Sequence, residues 1–366
     1  MQICLLSELI KEYCAALQHE KPANEETRRR YRDALDTMVR LLGDREISGY
    51  TREDLLALKI KLYRWPANIN RVEEFRGKTT EEILRMNVAK TLDKLTVDSK
   101  YMDKIIAAFQ YAFRQGMIAR DIAQNVVKTA TVAQKKASRR KPYDIEDLKK
   151  IFAAVPVHPE RPHLAWVPLI AAFSGARHDE ICRLKVSDIN VSRQTPYMLV
   201  TEGDDSGNIV TNVRGEGSRR LVPLHPLLVE MGLLEFVALR NARGRELLFE
   251  LRKKGSDEFI PLTGEYYGQT FEAFNRKHVT NDLRKGFLSF RYNVHHALAL
   301  KNVPPELCYA ITGHVPLFES EHVGPEDQRL SDRYNALSQL AYPGLELAGL
   351  KEKLGNLFAD RGDFRQ

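Results

Sequence analysis

Cysteine is scarce in this chain, and its few positions suggest neither a cross-link nor a metal site. Cys4, Cys14, Cys182 and Cys308 are scattered, and no C-x-x-C pair occurs. Zinc sites and redox motifs need cysteines at close, regular spacing. We therefore predict reduced thiols, no bound metal and no cofactor.

Long apolar segments and targeting signals are also absent. No apolar run approaches the roughly 18 residues of a membrane span, and the opening stretch MQICLLSELIKEYC lacks a basic start and a small-residue cleavage site. A Walker-type GxxxxGK[ST] loop is missing as well. These absences predict a cytoplasmic protein whose chemistry does not draw on ATP.

What the chain does have is length and positive charge. Its 366 residues are enough for two or three domains. The net charge of +7 permits a nucleic-acid partner. The charge is concentrated, with five cations in KKASRRK at residues 135–141 and four in TRRRYR at residues 27–32. The first run is open to two interpretations, a solvated hinge or a segment that contacts phosphates.

The first 130 residues have helical periodicity. Leu35, Met38, Leu41 and Leu42 recur at the spacing of one helix face, and Thr51 is placed to cap the helix that follows it. These patterns predict an all-helical first domain.

The rest of the chain mixes two periods. DIEDLKKIFAAV, after Pro142, begins a second helical unit, whereas PYMLVTEG, NIVTNVRG and SRRLVPL are short β-rich runs between turn residues. From PLLVEMGLLEFVALRNAR onward the pattern predicts helices again. The predicted fold class is mainly α with a small antiparallel β-sheet.

Four residues attract attention as carriers of chemistry. They are Arg177 in FSGARHDEICRLKV, Arg291 in FLSFRYNVHHALAL, His314 in LCYAITGH and Tyr334 in DRYNAL. Each has an ordinary structural explanation when taken alone: a buried-edge arginine pairs with a carboxylate, a Gly-His pair ends a helix, and a tyrosine packs in a core. Their combination and order carry the information.

In that order the sequence resembles the tyrosine recombinase (phage integrase) family. The matching stretches are GARHDEICRLKVSDI, SRRLVPLHP, FLSFRYNV, ITGH and RYNAL, with further similarity in ETRRRYRDALDTMVRLLG, LYRWPANINR, YMDKIIAAFQYAFRQGMI and LAYPGLELAGL. The resemblance extends over residues 5–350. It implies a helical core-binding (SAM-like) DNA-binding domain at 1–131, a basic linker at 132–142, an α+β catalytic domain at 143–350 and a tail at 351–366.

The resemblance also implies a mechanism without metal. Arg177 and Arg291 would grip the scissile phosphate, since guanidinium groups bind phosphate oxygens in a fork. His314 would donate a hydrogen bond to the phosphate, and Glu180 and Asp188, which match positions of the family's first arginine box, would orient the arginine or the loop. Tyr334 would attack phosphorus to form a 3′-phosphotyrosyl link, whose retained bond energy allows resealing without ATP.

Two positions depart from the family pattern. The family places a histidine three residues before the second arginine, where this chain has Leu288, and a lysine on the β-hairpin, where the alignment falls at or beside Arg214. Leucine cannot donate a hydrogen bond, and arginine releases its proton poorly. We therefore predict a slow or partner-dependent enzyme in which Arg214 stabilises the leaving oxygen.

The histidine-to-tyrosine spacing is also unusual. His314 and Tyr334 are further apart than the roughly nine residues that the family resemblance implies, so Tyr342 stays as an alternative nucleophile. His295 and His296 follow Arg291 by about one helical turn, and we assign neither to the missing role.

The resemblance further implies how DNA is held. Two domains would clamp the duplex, with Lys135, Lys136, Arg139, Arg140 and Lys141 contacting the backbone between them. The tail stripe of Leu350, Leu354 and Phe358 has two interpretations: docking on a neighbouring subunit, in a tetramer on double-stranded attachment DNA, or packing on its own domain.

Three functions are consistent with these observations. The first is a site-specific recombinase of a phage or another mobile element, working on recombination sites with accessory recombination factors. The second is a type IB topoisomerase, which uses the same chemistry but does not account for the integrase-like residues 5–130. The third is a catalytically impaired DNA-binding relative that assists an active recombinase, as Leu288 and the missing lysine suggest.

Overall fold

The structure, a computed structural model, describes residues 4–19, 25–67, 69, 72–124, 126, 139–191, 195–201, 219–253, 255–313 and 326–359. The chain divides into two compact units, Met1–Arg139 and Arg140–Gln366. Each unit has its own hydrophobic core.

The first unit is built from helices, as predicted. Leu9, Leu35, Met38 and Phe109 are fully buried at its centre, so the periodicity identified the packed faces correctly. The principal helices are α1 (Leu6–His19), α2 (Glu25–Leu42), α3 (Arg52–Tyr63), α4 (Thr80–Arg85) and α5 (Asp103–Arg114).

Local sequence signals set the ends of these helices. The hydroxyl of Thr51 accepts a hydrogen bond from the Asp54 backbone N–H at 3.2 Å, and the Asp54 carboxylate accepts one from the Thr51 N–H at 2.9 Å. This reciprocal capping box begins α3 and confirms the predicted cap. Gly43, with φ of 89°, follows the last residue of α2 in a left-handed conformation that glycine adopts without strain.

The second unit surrounds one buried helix. Its helices are α6 (Ile145–Ala154), α7 (His163–Ala172), α8 (His178–Cys182), α9 (Pro226–Glu230), α10 (Leu233–Ala242), α11 (Gly264–His278), α12 (Ser289–Leu300), α13 (Pro305–Thr312), α14 (Glu326–Leu337) and α15 (Ala348–Ala359). All the residues of α7 except Leu164 are buried, which gives the neighbouring elements a rigid support. Phe290, Val294 and Leu298 of α12 are fully buried and recur at the spacing of one helix face.

A small antiparallel sheet confirms the predicted fold class. Strands β1 (Ile189–Asn190), β2 (Tyr197–Val200) and β3 (Arg220–Pro223) pair in that order, with Met198 opposite Val222. The predicted strand NIVTNVRG lies outside the described residues.

The prediction of helices throughout the region after residue 226 is wrong at one place. Strands β4 (Glu250–Arg252) and β5 (Phe259–Pro261) form a separate antiparallel hairpin. All three residues of β5 are exposed. A strand without a buried face has no period-2 pattern for the sequence to reveal.

The last helix packs on its own unit. Leu350 and Leu354 of α15 belong to the core of the second unit, and the Lys351 ammonium lies 2.8 Å from the Glu230 carboxylate. These contacts favour the own-domain interpretation for both leucines, while the side chain of Phe358 lies outside the described residues. Among the helices that the structure describes, none is both long enough and apolar enough to cross a bilayer.

His163 at the start of α7 predicts acid sensitivity. Burial, helped by the charge of Arg161, lowers its pKa from 6.5 to about 4. The unfolded chain therefore takes up this proton as pH falls through 6.5, whereas the folded chain does so only near pH 4. The stability that neutral His163 contributes is complete above pH 6.5 and is lost as pH falls toward 4.

We expect the free energy of unfolding of the second unit to fall by about 2 kcal/mol from His163 alone between pH 7.5 and pH 5. Burial also lowers the pKa of His225 and, with the charge of Arg291, that of His295, so the total loss is larger. Urea unfolding at both pH values measures it. His163→Phe removes the titrating group and keeps a ring against Tyr267; an equal pH dependence in that variant would contradict the assignment.

Candidate active site

Arg177 is held at the turn between the buried helix α7 and the short helix α8. Its backbone N–H donates to Glu180 Oε2 at 2.7 Å, and its Nη1 donates to Glu180 Oε1 at 3.0 Å. The side chain of Arg177 remains 37% exposed, while that of Glu180 is 2% exposed. The arginine is therefore held by Glu180 and remains partly exposed.

A second arginine holds the same carboxylate from the sheet. Arg220, the first residue of β3, donates from Nη1 to Glu180 Oε1 at 3.0 Å and from Nη2 to Glu180 Oε2 at 2.9 Å. Burial alone would raise the pKa of Glu180, but the charges of Arg220 and Arg177 and their hydrogen bonds lower it below its ordinary value. Glu180 is therefore a buried anion between two cations.

Arg291 joins this cluster from helix α12. It is buried, and its Nη1 lies 3.5 Å from the carbonyl oxygen of Gly175. Burial, followed by the positive charge of Arg177, lowers the pKa of Arg291 to about 9. Both causes disfavour a further cation at this place, and an anion bound beside it would relieve them. The arrangement is suited to bind a phosphate.

Helix α13 ends against the same cluster. A Cβ on Gly313 would lie 2.6 Å from Arg220 Nη1, and one on Gly175 would lie 2.7 Å from Thr312 Cγ2. Both glycines have positive φ, 74° and 69°. Close approach and backbone conformation thus both require glycine here, and they bring α13 onto the Arg177 turn.

The two candidate tyrosines have different surroundings. Tyr334 is half-buried on α14, a helix joined to the sheet by Arg333 Nη1, which donates to the Leu221 carbonyl at 2.9 Å. Tyr342 donates its hydroxyl to the Ala172 carbonyl at 2.7 Å, and burial raises its pKa. A phenol bound to the central helix in this way is a poor nucleophile, which favours Tyr334.

Comparison with known proteins gives a result only at the level of structure. No protein-family model matches the sequence, and no curated protein matches it. A lambda integrase tetramer bound to a Holliday junction is similar with a TM-score of 0.55 and 16% identity, over 91% of this chain and 79% of that one. A lambda integrase dimer bound to a COC′ core site has a TM-score of 0.54 and 17% identity, covering 90% and 96%. The integrase of transposon Tn1549 in complex with a circular intermediate DNA has a TM-score of 0.51 and 14% identity, over 94% of this chain and 98% of that one.

The chain has the tyrosine recombinase fold. The resemblance suggested by the sequence is thereby confirmed at the level of fold, across both the helical first unit and the α+β second unit. At 14–17% identity the match shows the fold and assigns no role to any residue.

Within this tyrosine recombinase fold, the structure brings Arg177 and Arg291 into one cluster around Glu180. Two other predicted site residues, Arg214 and His314, lie outside the described residues. Leu288 is 39% exposed at the residue before α12, where its carbonyl accepts a hydrogen bond from the Arg291 N–H at 3.1 Å. The Asp188 carboxylate accepts from the Lys185 N–H at 2.8 Å, so it orders its own loop.

The basic linker is described only at its end. Arg139 is exposed, Arg140 Nη1 donates to the Leu283 carbonyl at 2.9 Å, and Lys141 Nζ lies 3.9 Å from the Asp282 carboxylate. Lys135 and Lys136 lie outside the described residues.

Arg220 is a member of this cluster that the sequence analysis did not single out. It shares the buried face of β3 with Val222, while Leu221 between them is partly exposed. A cation in register with an apolar strand position is a signal for a buried ion pair. The sequence could have revealed the pair's existence, but not its partner on α8.

Proposed function

We propose that this protein is a site-specific DNA recombinase that cleaves and rejoins DNA through a covalent tyrosyl intermediate. The observation that carries the proposal is that Arg177, held by the buried Glu180, lies close to the buried Arg291, whose Nη1 donates to the carbonyl of Gly175, two residues before Arg177. Two guanidinium groups at one anion site meet the main requirement of metal-free phosphodiester cleavage, which is to neutralise charge on a pentacoordinate phosphorus.

The proposed step exchanges one phosphodiester bond for a phosphotyrosyl bond, so that the bond energy is retained. The Tyr334 hydroxyl loses its proton and attacks phosphorus, the bond to the 5′ oxygen breaks, and that oxygen takes up a proton as it leaves. A 5′ hydroxyl from another strand then reverses the step and releases the tyrosine. Arg177, Arg291 and His314 stabilise the charge on the phosphate, and Arg214 stabilises the leaving oxygen by its charge.

The rest of the chain serves DNA binding in this proposal. The helical unit and the catalytic unit hold double-stranded recombination sites, and residues 132–142 connect them along the backbone. The lambda integrase structures include a dimer and a tetramer on DNA, which supports a tetramer of this chain as the working assembly.

A covalent trapping experiment tests the proposal. On a nicked suicide substrate we expect wild type to form a protein–DNA adduct that survives denaturing electrophoresis, and Tyr334→Phe to form none, because the nucleophilic oxygen is gone. Tyr342→Phe is the matched control and should retain the adduct, because its hydroxyl binds Ala172. An adduct in Tyr334→Phe, or its loss only in Tyr342→Phe, would refute the assignment.

A non-catalytic DNA-binding role is the second candidate, and Leu288 is the observation that favours it. The side chain at this position cannot exchange a proton or donate a hydrogen bond. Specific DNA binding by wild type, with no adduct on any suicide substrate, would identify this role.

The linker cations predict a salt dependence. If all five contact phosphates, the slope of log K against log salt includes about −4 to −5 from them. Replacing Lys135, Lys136, Arg139, Arg140 and Lys141 with glutamine should flatten the slope by that amount in a DNA-binding titration.

The control removes four lysines that lie beside surface carboxylates, against five cations in the linker variant, so the change in slope is compared per charge removed. Lys149, Lys185, Lys253 and Lys351 each lie within 2.8 Å of a surface carboxylate. Their replacement by glutamine changes net charge with little change in slope. An unchanged slope in the linker variant would return the run to the solvated-hinge interpretation.

A further inference from the structure

We propose that Arg220 is a positioning residue that sets both Arg177 and the end of helix α13 for phosphate binding. The inference deepens the proposed function and rests on it. Arg220 touches neither DNA nor the reacting atoms in this proposal; it acts through Glu180.

Two arginines, Arg177 and Arg220, share the Glu180 carboxylate. Glu180 Oε1 accepts from Nη1 of Arg177 and Nη1 of Arg220, both at 3.0 Å. Glu180 Oε2 accepts from the Arg177 backbone N–H at 2.7 Å and from Arg220 Nη2 at 2.9 Å. Each oxygen therefore has one donor on either side. The fork of Arg220 fixes the carboxylate plane, and that plane fixes Arg177.

The guanidinium of Arg220 also contacts helix α13. Arg220 Nε donates to the Ile311 carbonyl at 2.9 Å, and its guanidinium lies directly against Gly313. A single buried side chain from β3 thus ties the Arg177 turn to the end of α13. His314, the next residue in the sequence, is the predicted phosphate ligand.

The contacts of Arg220 require a guanidinium group. All three of its nitrogens are used, in two directions. A lysine ammonium offers a point charge without the planar fork. Arg220→Lys keeps the charge beside Glu180 and loses the geometry, so it separates orientation from neutralisation.

The cleavage rate of Arg220→Lys tests the proposal. We expect Arg220→Lys to form the covalent adduct about 10²-fold more slowly than wild type at saturating DNA, since small misplacement of a catalytic group has effects of this size. DNA affinity should stay unchanged. An Arg220→Lys variant that cleaves at the wild-type rate would overturn the proposal.

A second variant covers loss of folding. Arg220→Met alone leaves the buried Glu180 carboxylate without its buried cation and held by the part-exposed Arg177, whereas E180M/R220M replaces the carboxylate and the buried arginine with apolar groups, a change that proteins often tolerate. We expect E180M/R220M to fold and to cleave at least 10²-fold more slowly. Wild-type cleavage by the folded double variant would contradict a positioning role.

Arg240 provides the matched control. It is a buried arginine of α10 that pairs with Glu250 and donates to the Leu247 carbonyl at 2.7 Å. Arg240→Lys should lower thermal stability to a similar extent as Arg220→Lys and leave the cleavage rate of the folded protein unchanged. Equal slowing by both variants would show a general effect of stability and overturn the proposal.

A double-mutant cycle tests the route through Arg177. If Arg220 acts by placing Arg177, then Arg220→Lys has little further effect on cleavage in an Arg177→Ala background, because coupled residues are non-additive. Fully multiplicative effects would overturn that route.

Binding of inorganic sulfate distinguishes failure of this inference from failure of the proposed function. Sulfate should raise the thermal midpoint of wild type and Arg240→Lys by mass action, and raise that of Arg220→Lys much less. This result would support the positioning role even if wild type formed no DNA adduct. Equal sulfate shifts in all three proteins would overturn it.

Discussion

At pH 8.5, Arg291→Lys is expected to form the covalent DNA adduct about 10²–10³-fold more slowly than wild type, and to recover much of this loss near pH 6. The substitution keeps a cationic residue type at the site. The expected defect arises because a lysine in this environment does not keep its charge.

The surroundings of Arg291 disfavour a second positive charge. Burial and the charge of Arg177 lower the pKa of this arginine from 12.5 to about 9. The same surroundings acting on a lysine, whose ordinary pKa is about 10.4, would bring it to roughly 7. The ammonium is therefore largely neutral at pH 8.5 and largely charged at pH 6, so the deficit must shrink as pH falls.

The measurement is the ratio of variant to wild-type cleavage rate at each pH. Subsaturating DNA is used so that the titration of the free protein is observed. Taking the ratio removes the pH dependence of the tyrosine and of DNA binding common to both proteins. Arg291→Ala serves as the control, since it carries no titrating group there and its ratio should stay low and constant. A constant ratio for Arg291→Lys would show that the site does not suppress a second cation.

Much of the fold could be predicted because its signals are local. The cap at Thr51 depends on residues three positions apart, and the buried face of α12 depends on the spacing of Phe290, Val294 and Leu298. Such signals survive in a single sequence. The hairpin of β4 and β5 gives no such signal, because its second strand has no buried residue to alternate with exposed ones.

The sequence predicted the two arginines of the candidate site but not the residues that hold them. Arg177 and Arg291 lie in stretches that resemble family motifs, but the contacts that position the cluster join residues far apart in the sequence. Glu180 meets Arg220 from 40 residues away, and Arg220 meets Ile311 from 91. A sequence shows that a charge falls on an apolar strand face, and only the fold identifies its partner.

A further non-local pair lies in the first unit. Lys59 and Asp98 form a buried ion pair at 2.8 Å, at the π-helical stretch Val97–Met102. Neither residue stands out in the sequence, since both occur in strongly charged helical segments. Whether two charged residues form a buried ion pair depends on the tertiary fold. A prediction from hydrophobic periodicity places both residues on the surface.

Low sequence similarity and a preserved fold are compatible in this chain. The lambda and Tn1549 integrases share 14–17% identity with it, and no family model matches the sequence. The core positions tolerate exchange among apolar residues. The arginine cluster tolerates little, because its geometry depends on planar forks and on two glycines that accept close neighbours.

Leu288→His is expected to accelerate adduct formation by about 10²-fold, the lower end of what general acid–base groups contribute. Leu288 lies immediately before α12 and about one helical turn from Arg291, and it is 39% exposed. An imidazole fits there without burying an unpaired polar group. It would supply the proton exchange and hydrogen bonding that leucine cannot.

Two further variants separate the causes of any gain. Leu288→Gln adds a hydrogen-bond donor with no titrating group, so a gain confined to histidine indicates proton transfer, while an equal gain indicates hydrogen bonding to the phosphate. Leu283→His places the same imidazole on a nearby loop, at a leucine that is 75% exposed, and should leave the rate unchanged. If wild type already cleaves as fast as Leu288→His, the predicted impairment is wrong, and another group of this chain must provide the missing proton exchange.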